Sequence, residues 1–141
     1  MNKVSSEHRK NMNLAIKGMI VPVLREQGFK GSFPHFRRKN EKNIDLVTFQ
    51  FNRWGGSFVV ELAICPLEGV TMHWGEEIPP NKVTAHDVNK RLRLGAVSEE
   101  EDGIWFTYEN SKTQKDFEQV ASDVLGLLNT SDRNWISMLL K

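Results

Sequence analysis

Arg91 and Arg93 flank Leu92 in one short alternating stretch, and Trp105 stands in a second, Ile104-Trp105-Phe106-Thr107-Tyr108. Two guanidinium groups and an indole on one surface suit recognition. Arginine forks fit carboxylates and phosphates, and tryptophan is enriched at interfaces. Strand alternation adds Gln50 and Glu61 to the same face. Glu61 is then the candidate acid or base, a role that needs burial to raise its pKa. The plainer reading is a solvated sheet face on which Glu61 pairs with an arginine across strands.

The other chemical groupings point to less. His73-Trp74-Gly75-Glu76-Glu77 brings one histidine and two carboxylates together, but the spacing matches no zinc pattern and reads as a solvated loop. His8, His35 and His86 stand apart from it. Cys65 is the only cysteine and has no basic sequence neighbour. A nucleophilic thiol needs a base and a lowered pKa, so Cys65 reads as a small, buried apolar residue. Gly55-Gly56 lacks the lysine and following helix of a phosphate loop. No cofactor and no metal follow from these patterns.

Phe36-Arg37-Arg38-Lys39 and Arg53-Trp54 mix cations with rings, as single-strand nucleic-acid binders do. The net charge of +1 disfavours that reading, because nucleic-acid domains are usually clearly basic. The charge is uneven: residues 1–60 hold 11 Lys/Arg and 4 Asp/Glu, and residues 61–141 hold 8 and 14. Two halves that attract one another in the fold explain this most simply. A basic patch around Arg37 and Arg38 facing an anionic partner is the functional alternative.

Residues 46–65 must position any site on the sheet. They read LVTFQFNRWGGSFVVELAIC, the pattern of a β-hairpin. Val47, Phe49 and Phe51 share a face of the first arm, and Phe58, Val60, Leu62 and Ile64 share a face of the second. Gly55 and Gly56 supply a turn that needs positive φ. The reverse face then carries Thr48, Gln50, Glu61, Arg91, Arg93, Trp105 and Thr107, with Val59, Ala63 and Cys65 among them. It is expected to be flat and open. Hydrophobic residues on both faces of the second arm leave a monomer or a homodimer open.

Met12, Ala15, Ile16, Met19, Ile20, Val23 and Leu24 recur at helical spacing, capped by Ser5 or Ser6 and ended by Gly28. Pro22 lies inside this pattern and predicts a kink or a restarted last turn. Residues 33–39 read as a first strand. Residues 67–83 have no clear period and read as a long excursion. Ser111-Lys112-Thr113-Gln114 reads as a capping box before the stripe Phe117, Val120, Ala121, Val124, Leu125 and Leu128. Ser131 or Asp132 is expected to cap a last short helix, with Trp135, Met138 and Leu139 inward. The fold expected is α+β, one domain over 1–141: an antiparallel sheet of four to five strands with the N- and C-terminal helices packed on one face.

The 141 residues suffice for a substantial core. No apolar run approaches the roughly 18 residues of a membrane span, and the polar start lacks a secretory plan. With a single cysteine, these features favour a cytoplasmic protein that engages no membrane.

Several short motifs occur in order: Gln27-Gly28-Phe29, Phe36-Arg37-Arg38, Phe49-Gln50, Phe58-Val59-Val60-Glu61-Leu62, Arg91-Leu92-Arg93-Leu94-Gly95 and Ile104-Trp105-Phe106. Their order and spacing over residues 10–128 resemble a bacterial family of unknown function, the "four-three-zero-four" domain. The resemblance implies an α+β fold and assigns no catalytic residue. The leading expectation is a non-enzymatic module for a protein partner, accessory or immunity-like by family analogy. An enzyme acting on a small anionic substrate is the second reading, and a single-stranded nucleic-acid binder the third.

Overall fold

A computed structural model describes residues 6–89, 91–95 and 103–128. The N-terminal helix is broken where Pro22 forbids a continuous ladder. α1 (Ser6–Ala15) runs into a π turn (Ile16–Ile20), and α2 (Val21–Glu26) restarts with Pro22 in its first turn. Val21 N–H bonds to Ile16 O, so the wider turn absorbs the missing donor of Pro22. Gly28 has φ 96°, and Phe29 N–H bonds back to Leu24 O at 2.9 Å, which closes the helix and returns Phe29 to the core.

β1 (Lys30–Ser32), β2 (His35–Lys39), β3 (Asn43–Phe51) and β4 (Ser57–Pro66) form consecutive antiparallel neighbours. A two-stranded hairpin follows, β5 (Val70–Thr71) and β6 (Glu77–Ile78), then a 3-10 turn (Ala85–Asp87). β7 (Arg91–Arg93) and β8 (Phe106–Thr107) both pair with β4. α3 (Gln114–Leu128) ends the described chain. The antiparallel α+β arrangement is the expected one. The main sheet reaches six strands because Lys30–Ser32 also pairs.

The hairpin register sets the faces. Phe36, Val47, Leu62 and Leu92 lie in one row, and Phe51, Phe58 and Phe106 in another. These side chains meet Met12, Ile16, Ile20 and Leu24 of the first helix and Phe117, Ala121, Val124 and Leu128 of α3. Both helices therefore cover the same face. Gly55 (φ 89°) and Gly56 (φ 86°) make the turn between β3 and β4.

Three expectations need correction. The reverse face is not open. Segment 67–88 folds back across it, and Val83 and Ala85 bury Ile44, Leu46, Ala63 and Cys65 in a second, smaller core. Thr48, Val59 and Glu61 are buried too. The excursion is thus a roof with its own hairpin. The α3 cap also lies two residues further on. Asp116 N–H bonds to Thr113 Oγ1 at 3.3 Å, and Asp116 Oδ2 accepts from Thr113 N–H at 3.1 Å and Lys112 N–H at 2.9 Å. Those bonds to the charged form hold the Asp116 carboxyl below its ordinary value. Thr113→Ala is expected to cost about 1 kcal/mol, and Ser111→Gly less, in urea midpoints. Third, Arg38 is buried, which removes it from the expected basic patch. The Ser5 cap, the acidic residues 99–102 and the expected last helix lie outside the described residues.

Candidate functional site

Arg93 and Trp105 come together because two chain segments close on one another at glycines. Leu94 N–H bonds to Val60 O at 2.8 Å, and Ile104 N–H bonds to Leu94 O at 3.1 Å. Gly95 (φ 94°) lies against the Ile104 side chain, and Gly103 (φ 74°) against Arg93. A Cβ at either position would collide with those neighbours. The close approach puts the Arg93 guanidinium over the Trp105 ring, 5.2 Å from its centroid. That stack presents a cation and an indole face as one unit.

Trp105 also borders a groove of about 560 Å³ between β8 and α3. Ile104 and Phe106 line one side, and Val120, Asp123 and Leu127 line the other. Ile104, Trp105 and Leu127 remain 39%, 40% and 41% exposed. Apolar side chains that stay open beside one another in a concavity are a recognition feature. Leu127 falls off the buried α3 stripe, and that offset is the sequence signal that sequence reading alone passed over.

The remaining expected residues divide. Glu61 sits opposite Arg93 in the strand register, yet its carboxylate meets Arg91, with Arg91 Nε 3.5 Å from Glu61 Oε2. Arg91 also donates to His86 O at 3.4 Å. Gln50 lies further along the same face, opposite Val59, and is half-buried. Arg91, Glu61 and Gln50 thus share a face with Arg93, but of these expected residues only Trp105 lines the groove, and Arg93 is joined to it by the stack on that ring.

The cations once grouped at β2 disperse. Arg38 is buried on the helix side, bonded to Asp45 Oδ2 from Nε (3.0 Å) and Nη2 (2.9 Å). Arg37 is half-buried on the roofed side and donates to Val83 O. Arg53 stacks on Trp54 at 4.9 Å in the hairpin turn. Cys65 is covered by the roof, and burial pushes its thiol up to about 11, so it is a protonated, unreactive group at neutral pH. Among the described residues, no three His, Cys, Asp or Glu side chains converge to hold a metal ion. No described helix is long and apolar enough to cross a membrane.

A small α+β domain, roofed on one sheet face and grooved beside its last strand, is the class these features define. The chain belongs to the family described as "Domain of unknown function (DUF4304)", which it matches over residues 20–137. No curated protein and no solved structure matches it.

Proposed function

We propose that this protein is a non-enzymatic binding module whose β8–α3 groove takes a protein partner. The observation that carries the reading is the open apolar lining of Ile104, Trp105 and Leu127, with Arg93 stacked on the Trp105 ring. Aromatic and arginine anchors beside an apolar cleft are the usual centre of a protein interface. An accessory or immunity-like role in a bacterial cytoplasm is part of this reading. The single, roofed Cys65 supports a reducing compartment.

The second reading, an enzyme holding a small anion, has less support. Its acid–base candidate, Glu61, is buried beside Arg91, and both that guanidinium and Arg93 are already engaged. The nucleic-acid reading loses Arg38 to the interior.

The test compares immobilised wild type with Trp105→Ala and Leu127→Glu in native lysate, each variant first matched to wild type in urea midpoint. A stoichiometric protein should be retained by wild type and lost about tenfold or more with either change, the loss of one anchor being worth 1–2 kcal/mol or more. Trp74→Ala, outside the groove, should retain it. The same captured proteins in all four samples would refute the groove as the docking site.

A further inference from the structure

We propose that the roof over the second sheet face is held by a pH-sensitive latch, built where His35 of β2, Thr48 of β3 and His86 of the 3-10 turn meet, and that acid releases it. The latch centres on one buried hydroxyl. Thr48 Oγ1 accepts the backbone N–H of Ala85 at 3.2 Å, which fastens the roof to the sheet. His35 Nδ1 lies 3.2 Å from the same oxygen. The neutral imidazole can take the Thr48 hydrogen at a bare Nδ1 while Ala85 N–H donates to the same oxygen. Protonation of His35 turns Nδ1 into a donor, so the Thr48 hydrogen loses that acceptor and the one oxygen must accept from both Nδ1–H and Ala85 N–H.

Charge acts in the same direction. The His86 ring stands edge-on to His35, with centroids 6.0 Å apart, so the two imidazolium ions repel. Arg37, two residues along β2 on the same face, is a third cation. From the roof, Asp87 is the one carboxylate that favours the charged ring. Asp87 is already committed to the Thr84 N–H at 2.8 Å. Across Thr48, the register continues to Glu61 and Arg93, and Glu61 faces Arg91. From β1, the residue opposite His35 is the uncharged Ser32. Burial first, then His86 and Arg37, push the His35 pKa below its ordinary value.

The sign follows. An open roof frees His35 to titrate near its ordinary value, so the open form binds the proton more readily. Closure is full above about pH 6.5 and is lost as pH falls from there toward the lowered value. What opens is defined by the second core: Val83 and Ala85 lift from Ile44, Leu46, Ala63 and Cys65.

Cys65 is the only thiol in the chain and serves as the reporter. A pyridyl disulfide, which reacts with thiols even in acid, is applied to the full chain at each pH. Its rate is divided by the rate for the same chain in denaturant. Protection of Cys65 should fall severalfold between about pH 7.5 and about pH 5 in wild type. The His35→Gln/His86→Gln variant should keep constant protection over that range. Hydrogen exchange gives a second readout on wild type alone. The Ala85 amide should lose protection at the lower pH while β3 and β4 amides keep theirs. Constant wild-type protection, an unchanged Ala85 amide, or an equal loss in the variant would each overturn the latch.

Discussion

Asp45→Ala is expected to lower the unfolding free energy by about 3–5 kcal/mol, read as a shift of the urea midpoint at unchanged slope. The large effect comes from what the substitution takes from a buried cation. Arg38 and Asp45 are 4% and 0% exposed, and the alanine removes the carboxylate oxygen that Arg38 Nε and Nη2 both reach. Arg38 also does more than pair. Its Nη1 donates to Gln27 O at 3.1 Å, at the C-terminal end of α2, and its guanidinium lies 4.6 Å from the Phe29 ring centre. A cation there satisfies an end carbonyl and suits the helix dipole. Asp45 therefore fixes the side chain that ties the first helix to the sheet.

The pair is not a simple gain, however. Burial raises the Asp45 carboxyl above its ordinary range, with the bonds from Arg38 and Asn40 opposing. Its own contribution is full below the ordinary carboxylate pKa and lost as pH rises through the raised value. Asp45→Asn keeps an acceptor for Arg38, so it should cost less than alanine and flatten this part of the stability–pH curve. Arg38→Met with Asp45→Leu should cost less than Asp45→Ala, because both charges then leave the interior together. An alanine variant with the wild-type midpoint would show that the pair does not hold the helix end.

That ion pair also marks where the sequence was legible and where it was not. Period-two alternation put Val47, Phe49, Phe58 and Leu62 under the helices, and the same rule places Arg38 with Phe36 and Asp45 with Val47. The rule was sound. Charge was the misleading cue, because charged residues are assumed to face water unless a partner is seen. The roof failed for another reason. Leu67, Ile78, Val83, Ala85 and Val88 share no period, since each is held by a tertiary contact to the sheet and none by a repeating element. With the roof unseen, the reverse face looked open, and Glu61 and Thr48 looked available. That Arg93 and Trp105 lie on one surface is legible, as both fall in alternating stretches of sequence. Their groove is not, because Ile104 and Leu127 meet only when Gly95 and Gly103 let β7 and β8 close and α3 packs beside them.

Phe58→Ala should cost about 3–5 kcal/mol as well, and its damage should centre on the groove. Phe58 is fully buried. Its ring stacks on Phe106 at 5.4 Å and 28°, and lies 5.1 Å from Phe51 and 6.2 Å from Phe49. β8 has only two ladder positions, Ser57 with Thr107 and Phe58 with Phe106. So short a strand is held by side-chain packing more than by its backbone bonds. Emptying the Phe58 site removes the surface on which Phe106 rests, and Trp105 precedes Phe106 directly. The variant should therefore lose amide protection at Ile104 and Tyr108, whose N–H groups bond to Leu94 O (3.1 Å) and Gly56 O (2.8 Å), under conditions where β3 remains protected. It should lose partner capture with them. Leu24→Ala is the control: a buried residue of the same core at the far helix end, expected to cost about 2–5 kcal/mol while leaving β8 amides no more open than the rest. Equal loss of Ile104 and Tyr108 protection in both variants would mean that the core as a whole, and not the Phe58–Phe106 stack, positions Trp105 beside the groove.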